Sequence, residues 1–291
     1  MGKNITKLKQ ADFELSLFRP LLEIPKPPAC LYIRGEIEKY RFYKKICIVG
    51  SRMHSSYAKQ VVDTLCNALA KQRNIIIVSG LALGIDGLAH KSALSHNIPT
   101  LAVLGSDLNS QNIYPRTHVA LAKEIIAAGG ALVSEYEEQK AMKWTFPARN
   151  RIMAGMSDLV IVVEAGEKSG TLVTAQLAME MGVDVAVIPN SIFSEFSRGS
   201  NKLIRDGAHV ITEMQDIYDL LHIDNSESSV VKSYDDVNKN EVKILSLLSE
   251  PLSRDALLQK SSLSSSELSR LLSILEIKGY IKEELGLIFR R

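Results

Sequence analysis

From residue 46 onward the chain repeats one device: a short run of β-branched and apolar residues, then a segment with helical periodicity. The runs are ICIVG (46–50), IIIVS (75–79), TLAVL (100–104), ALVS (131–134), LVIVVEA (159–165), VAVI (185–188) and HVIT (209–212). Runs this continuously apolar suit strands covered on both faces, and their alternation with helices predicts an α/β fold with a doubly wound, mostly parallel sheet. Between the first two runs, Val61, Val62, Leu65, Cys66 and Leu69 share one helical stripe. Ligands of such sheets sit beyond the carboxyl ends of the strands, so the loops that open the helices are where chemistry is expected.

The rest of the chain divides around this core, expected at 46–222. Residues 1–45 form an entry segment, with PKPPACLYIRG extended by its prolines and bracing the sheet. Residues 223–238 lack periodicity and carry Asp224, Glu227, Asp235 and Asp236 against Lys232, which marks an acidic linker. Residues 239–291 hold three short helical patterns and a closing IKEELGLIFRR, the outline of a winged helix-turn-helix; Ser264 and Glu267 supply a capping box for its last helix. Contact with nucleic acid and contact with a protein partner are both open for this domain. No internal repeat is present.

The 291 residues are 46% hydrophobic and 23% charged, the make-up of a globular chain. Lys+Arg 35 against Asp+Glu 33 excludes a wholly basic nucleic-acid binder, so any polyanion has to be held by locally clustered charge. Cys30, Cys47 and Cys66 are odd in number and widely spaced, which points to reduced core thiols rather than disulfides or a metal site. No apolar run reaches the roughly 18 residues of a membrane span, and MGKNITKLKQ is polar where a signal peptide is greasy, so a cytoplasmic protein is expected. A myristoylation pattern from Gly2 to Thr6 and a glycosylation sequon at Asn4 are short, common matches and are discounted.

Four strand-to-helix loops carry groups suited to a polyanion. Gly50-Ser51-Arg52 offers close backbone approach, a helix N-terminus and a guanidinium fork; the plain alternative is a turn with a solvated arginine. Ser79-Gly80 opens a loop running to Gly84 and Asp86, poor in bulky side chains, though neither GxGxxG nor a P-loop occurs. Asp86 and His90 lie four apart on one helix face; with no further ligand evident, a structural hydrogen bond is expected rather than a metal pair. Lys143 through Arg151 places Lys143, Arg149 and Arg151 with Trp144, Phe146 and Asn150, cations among aromatics as single-stranded nucleic acid requires; Trp144 is expected to be core packing. Lys168-Ser169-Gly170-Thr171 begins another helix with small residues and a cation.

In order along about residues 25–220, PPACLYIRG, ICIVGSR, VSGLALGIDGLAH, LAVLGSD with IYP, LVSEY, FPARNRIMAGMSD, VVEAGEKSGTLVTAQLA and GSNKLIRDGAHVI resemble the DNA-processing protein A family, also called DprA or Smf. The resemblance implies a Rossmann-like core that binds and protects incoming single-stranded DNA, forms dimers, and loads RecA recombinase during natural transformation. No cofactor is implied, and no bond is made or broken. It puts Ser51, Arg52, the Gly80 loop and Arg149-Asn150-Arg151 at backbone phosphates, lines the same pocket with Ser169, Gly170 and Thr171, and makes Lys143 and Phe146 a cation and a stacking ring. Three positions depart from the family pattern: Asn190 where Pro-Gly is common, Glu137 in place of the proline of SEYP, and His118 where an asparagine is usual. The stretch before residue 25 is too short for the helical N-terminal domain of many relatives.

Two other classes compete. The core also resembles phosphoribohydrolases with a PGGxGTxxE pocket, but Thr174 stands where their catalytic glutamate would be. A regulator whose winged helix reads duplex DNA is the second, separable by strand preference.

Overall fold

A computed structural model describes residues 5–72, 74–223, 238–248, 252–261, 263–284 and 286–290. Residues 1–4, where the two short modification patterns begin, and nearly all of the expected acidic linker lie outside them. The chain forms two compact units, Met1–Ser226 and Glu227–Arg291.

All seven apolar runs are strands of the first unit: β3 (Lys44–Val49), β4 (Ile75–Ser79), β5 (Thr100–Leu104), β6 (Ala131–Ser134), β7 (Leu159–Val162), β8 (Asp184–Val187) and β9 (His209–Val210). Two further strands come from the N-terminal segment, β1 (Thr6–Lys9) and β2 (Cys30–Gly35). The sheet order is β1-β2-β6-β5-β4-β3-β7-β8-β9, parallel from β6 to β9, with β2 antiparallel to β6 and β1 antiparallel to β2. The Pro-rich segment therefore extends the sheet by an antiparallel edge, and Phe13, Phe18 and Leu21 from the same stretch are fully buried in the core.

Alternation along the central strands sorts residues onto two faces. Ile46, Ile48, Ile75 and Ile77 meet Val62, Leu65, Cys66 and Leu69 of α1 (Ser56–Leu69) and Ala89 and Ala93 of α2 (Ile85–Ser95). Cys47, Val49, Ile76 and Val78 meet Ile152 and Met153 of α4 (Thr145–Met156) and Ala175 and Ala178 of α5 (Thr171–Glu180). Each such Ile, Leu or Val stabilises the fold by about 1.5–3 kcal/mol relative to exposure, which is why the pattern recurs along the central strands. The helix α3 (Val119–Ala127) covers β5 and β6 with Leu121, Ala122 and Ile125. The pair α6 (Arg198–Arg205) and α7 (Met214–Leu220) completes the unit.

Strand order reverses at β3: the chain steps outward to β6, then α4 returns it to β7 on the other side. The carboxyl ends of β3 to β6 thus share one edge with the N-terminus of α4. Cys47 and Cys66 are buried and Cys30, on β2, is half-buried, so only two of the three are core thiols; burial pushes the Cys66 thiol up to about 12.

In the second unit α8 (Lys239–Leu247), α9 (Arg254–Ser261) and α10 (Ser265–Ile277) pack with a three-stranded sheet, β10 (Leu252–Ser253), β12 (Leu287–Arg290) and β11 (Ile281–Glu284), in that order. This is a winged helix. The Ser264–Glu267 capping box opens α10, and Asn238 with Glu241 makes a second one for α8. Among the described residues no helix is long and apolar enough to cross a membrane, and no cluster of three or more His, Cys, Asp or Glu could hold a metal ion.

Candidate functional site

A pocket opens at the carboxyl ends of β3, β4 and β5, closed on one side by the start of α4. Arg149, only 5% exposed, forms its floor and donates from Nη1 to the Val103 carbonyl at 2.6 Å. The guanidinium fits because residue 80 is glycine: a Cβ there would lie 1.9 Å from Arg149 Nη1. The Gly80 N–H donates to Asp86 Oδ2 at 3.1 Å, so the turn after β4, the buried acid and the buried cation form one unit. Burial holds Asp86 above the usual carboxylate range while the Arg149 charge pulls the other way. A cation is thereby placed at the bottom of a low-dielectric pocket, where its field on an incoming anion is least screened.

Above it, the exposed Arg52 lies over the Phe146 ring at 5.6 Å, and Tyr114 meets the same ring at 5.6 Å. Gly105 allows Phe146 this position, since a Cβ there would stand 3.1 Å from the ring. Lys143 is exposed three residues before Phe146. Met53, Leu83, Tyr114, Met142 and Trp144, on the loops that follow β3 to β6, are exposed. Cations and flat apolar surface are interleaved here, an arrangement that offers charge to phosphodiesters and stacking to unpaired bases.

Arg52, Gly80, Phe146 and Arg149 line this pocket. The other expected residues fall elsewhere. Ser79 is fully buried and its hydroxyl donates to the Ile48 carbonyl at 2.6 Å, joining β4 to β3. The Gly50 carbonyl accepts from Thr171 Oγ1 at 2.9 Å, and a Cβ on Gly50 would lie 2.4 Å from Ile85, so the pair serves the packing of β3 against α5 and α2. The Ser51 N–H donates to the Glu164 carbonyl at 2.7 Å, which sets the direction in which Arg52 leaves the strand. Arg151 is committed to both oxygens of Glu135, at 2.5 and 2.7 Å, whereas Asn150 is half-buried on α4. Lys168 and Gly170 are exposed and Ser169 half-buried on the β7–α5 loop, across β3 from the pocket.

Three expectations need correction. The N-terminus of α1 is not a free anion seat: the buried Glu164 carboxylate accepts from Ser55 N–H at 3.0 Å and from Ser55 Oγ at 2.5 Å. A protein carboxylate satisfies those donors and fills the crevice where strand order reverses. Asp86 and His90 do not bond each other; His90 Nδ1 lies 2.7 Å from Thr100 Oγ1, and burial pushes its pKa down to about 3. Trp144 is no core residue, being 57% exposed and set edge-on to Tyr136 at 5.9 Å. Sequence reasoning also passed over Tyr114 as a site residue, although it lies within the IYP motif.

The model of the family described as DNA recombination-mediator protein A matches residues 10–222. This chain belongs to that family. The DprA winged helix domain matches residues 232–286. Among family members, the Smf protein of Escherichia coli K12 is 43% identical over 202 residues, covering 69% of this chain and 53% of its own, and the DNA processing protein DprA of Bacillus subtilis 168 is 41% identical, covering 69% and 67%. The chain thus matches little more than half the length of the first of these relatives. Two solved DprA structures align well: that of Streptococcus pneumoniae, with a TM-score of 0.67 at 35% identity over 75% of this chain and 74% of its own, and that of Helicobacter pylori, which concerns its single-stranded DNA binding mode, with 0.66 at 32% over 75% and 96%.

Each of the three departures from the family pattern has a partner. Asn190 Nδ2 donates to Glu164 Oε1 at 2.9 Å, adding a third donor to the buried carboxylate. Glu137 accepts from the Tyr32 hydroxyl at 2.5 Å, which with Lys7 holds its carboxyl below the usual range. His118 Nδ1 stands 2.9 Å from the Leu81 carbonyl, supporting a residue at positive φ, and Gly87 leaves the room its ring needs.

Proposed function

We propose that this protein binds single-stranded DNA along the carboxyl edge of the parallel sheet, protects it, and loads RecA recombinase onto it during natural transformation, acting in the cytoplasm as a homodimer. The observation that carries the DNA reading is the Arg52–Phe146–Tyr114 stack over the buried Arg149. Phosphodiesters are drawn by the cations, and exposed rings reward bases that are not already stacked in a duplex. The Helicobacter pylori relative, described with single-stranded DNA, supports the same reading.

RecA loading, protection and dimerisation rest on family membership. Binding without chemistry is favoured by Thr174, buried on α5 where a hydrolytic carboxylate would be required, and by the commitment of Asp86 to Gly80 and Arg149. A duplex-reading winged helix is disfavoured by α10, whose charged residues are Glu267, Arg270 and Glu276, a balance that repels rather than attracts a phosphate backbone.

Fluorescence anisotropy with a labelled oligonucleotide and its duplex tests the reading. Tighter binding of the single strand is expected; equal or reversed preference would overturn it. Release of free base from nucleoside monophosphates by the purified protein would restore the enzyme reading.

A further inference from the structure

Trp144 lies two residues before Phe146, yet it faces a different neighbour. Its ring meets Tyr136 edge-on while Phe146 meets Tyr114, so the start of α4 displays two separate aromatic pairs. Trp144 is also presented rigidly. Thr145 Oγ1 donates to the Met142 carbonyl at 2.8 Å and accepts from the Met142 N–H at 3.1 Å, knotting the turn that carries Lys143 and Trp144. From the other side, the Tyr136 N–H donates to Ser134 Oγ at 3.0 Å, which anchors the supporting ring to the end of β6. A tryptophan more than half exposed on a turn fixed this way loses little further freedom on stacking.

The charges around the pair differ from those of the pocket. Glu135, Glu137 and Glu138 follow β6; Arg151 pairs with Glu135, Lys7 pairs with Glu137, and Lys140 is the one cation of the loop before Lys143, so positive charge there does not exceed negative. Lys143, the residue before Trp144, is exposed. Lys143 is suited to a phosphodiester, and what a strand can offer the uncharged Trp144 ring is a base.

We propose that Trp144, supported by Tyr136, is a second nucleobase-stacking platform, taking an unpaired base of the strand whose phosphates are held by Arg52 and Lys143. This rests on the single-stranded DNA reading above and extends it with a contact that carries no charge. Because every base has a π-face, the contact is indifferent to sequence.

Trp144 is the chain's only tryptophan, so its intrinsic fluorescence reports on the platform directly. Titrating the full chain with oligo(dT) should change Trp144 emission saturably, with the same midpoint as anisotropy of the labelled oligonucleotide. Trp144→Ala should weaken binding about five-fold or more, the loss typical of one base–aromatic stack, and Trp144→Phe should recover most of it. The dependence of log K on log salt should keep its slope in both variants, because no phosphate contact is lost. If the oligonucleotide binds, with Arg52→Ala weakening it, but emission and the Trp144→Ala affinity do not change, the platform is refuted while the DNA reading stands. If the unaltered protein binds no single strand at all, both fall together.

Discussion

The guanidinium of Arg149 occupies the space that a side chain at position 80 would need, and the N–H of Gly80 is held by the carboxylate of Asp86. The two residues are 69 positions apart in sequence and act as a single object. One supplies the cation, the other the room for it. Replacing Gly80 by alanine should therefore do two things at once. Overpacking should lower stability by about 1–3 kcal/mol, read as a lower urea midpoint, and displacement of Arg149 should weaken single-strand binding. Wild-type affinity in Gly80→Ala would separate Arg149 from the interface.

Arg52 is exposed and lies over Phe146, with no ion pair among the described residues. Arg52→Ala is expected to weaken binding of oligonucleotides of every sequence and to reduce the salt slope by about one, the signature of one lost phosphate contact. Affinities measured across a salt series decide it, and an unchanged slope would take Arg52 out of the phosphate site.

Glu164 accepts from Ser55 and from Asn190 with no exposure to water. Glu164→Ala strands the Ser55 donors at the start of α1 and should cost on the order of 1–3 kcal/mol in chemical denaturation. Asn190→Gly removes one of the three donors to Glu164 and should cost about 1 kcal/mol. A larger loss for the glycine variant than for Glu164→Ala would contradict this ranking.

His90 gives the stability a pH dependence whose sign follows from its burial. Desolvation, aided by the His118 and Arg149 charges, pushes its pKa to about 3, below the ordinary value of 6.5. The folded protein thus binds fewer protons than the unfolded chain, and the stability this contributes is present above pH 6.5 and lost as pH falls toward 3. Between pH 6.5 and 5 the loss should be about 2 kcal/mol, at 1.36 kcal/mol per unit. Urea unfolding of His90→Gln at the two pH values should show a smaller drop than the unaltered protein; an equal drop would assign the effect to other groups.

How much of this was legible beforehand varies by element for physical reasons. Strands β3 to β8 announce themselves because burial on both faces forces nearly unbroken apolar runs, whereas both residues of β9 are exposed and only the Ile211 that follows them is buried. The edge strand β1, TKLK, buries almost nothing and leaves no such mark, and β2 hides behind the prolines that lead into it. Within the site, Arg149 and Arg151 look equivalent as sequence, two residues apart on one helix. Their positions on α4 send them to different partners, one beneath the pocket against the Val103 carbonyl and one into both oxygens of Glu135. Residue type alone places Trp144 in the core, but on the Met142–Thr145 turn it is more than half exposed.

By itself, then, the sequence determined the α/β class, the parallel core, the winged helix and the glycine-bearing loops that follow the strands. These follow from periodicity and from side-chain chemistry that acts over a few residues. Which loop residues meet was decided only by tertiary structure. Glu164 closes the N-terminus of α1 from 109 positions away, and Tyr114 reaches the ring of Phe146 from the loop after β5. Such encounters depend on strand order and on the few ångströms left by glycines at 80 and 105, and local pattern encodes neither.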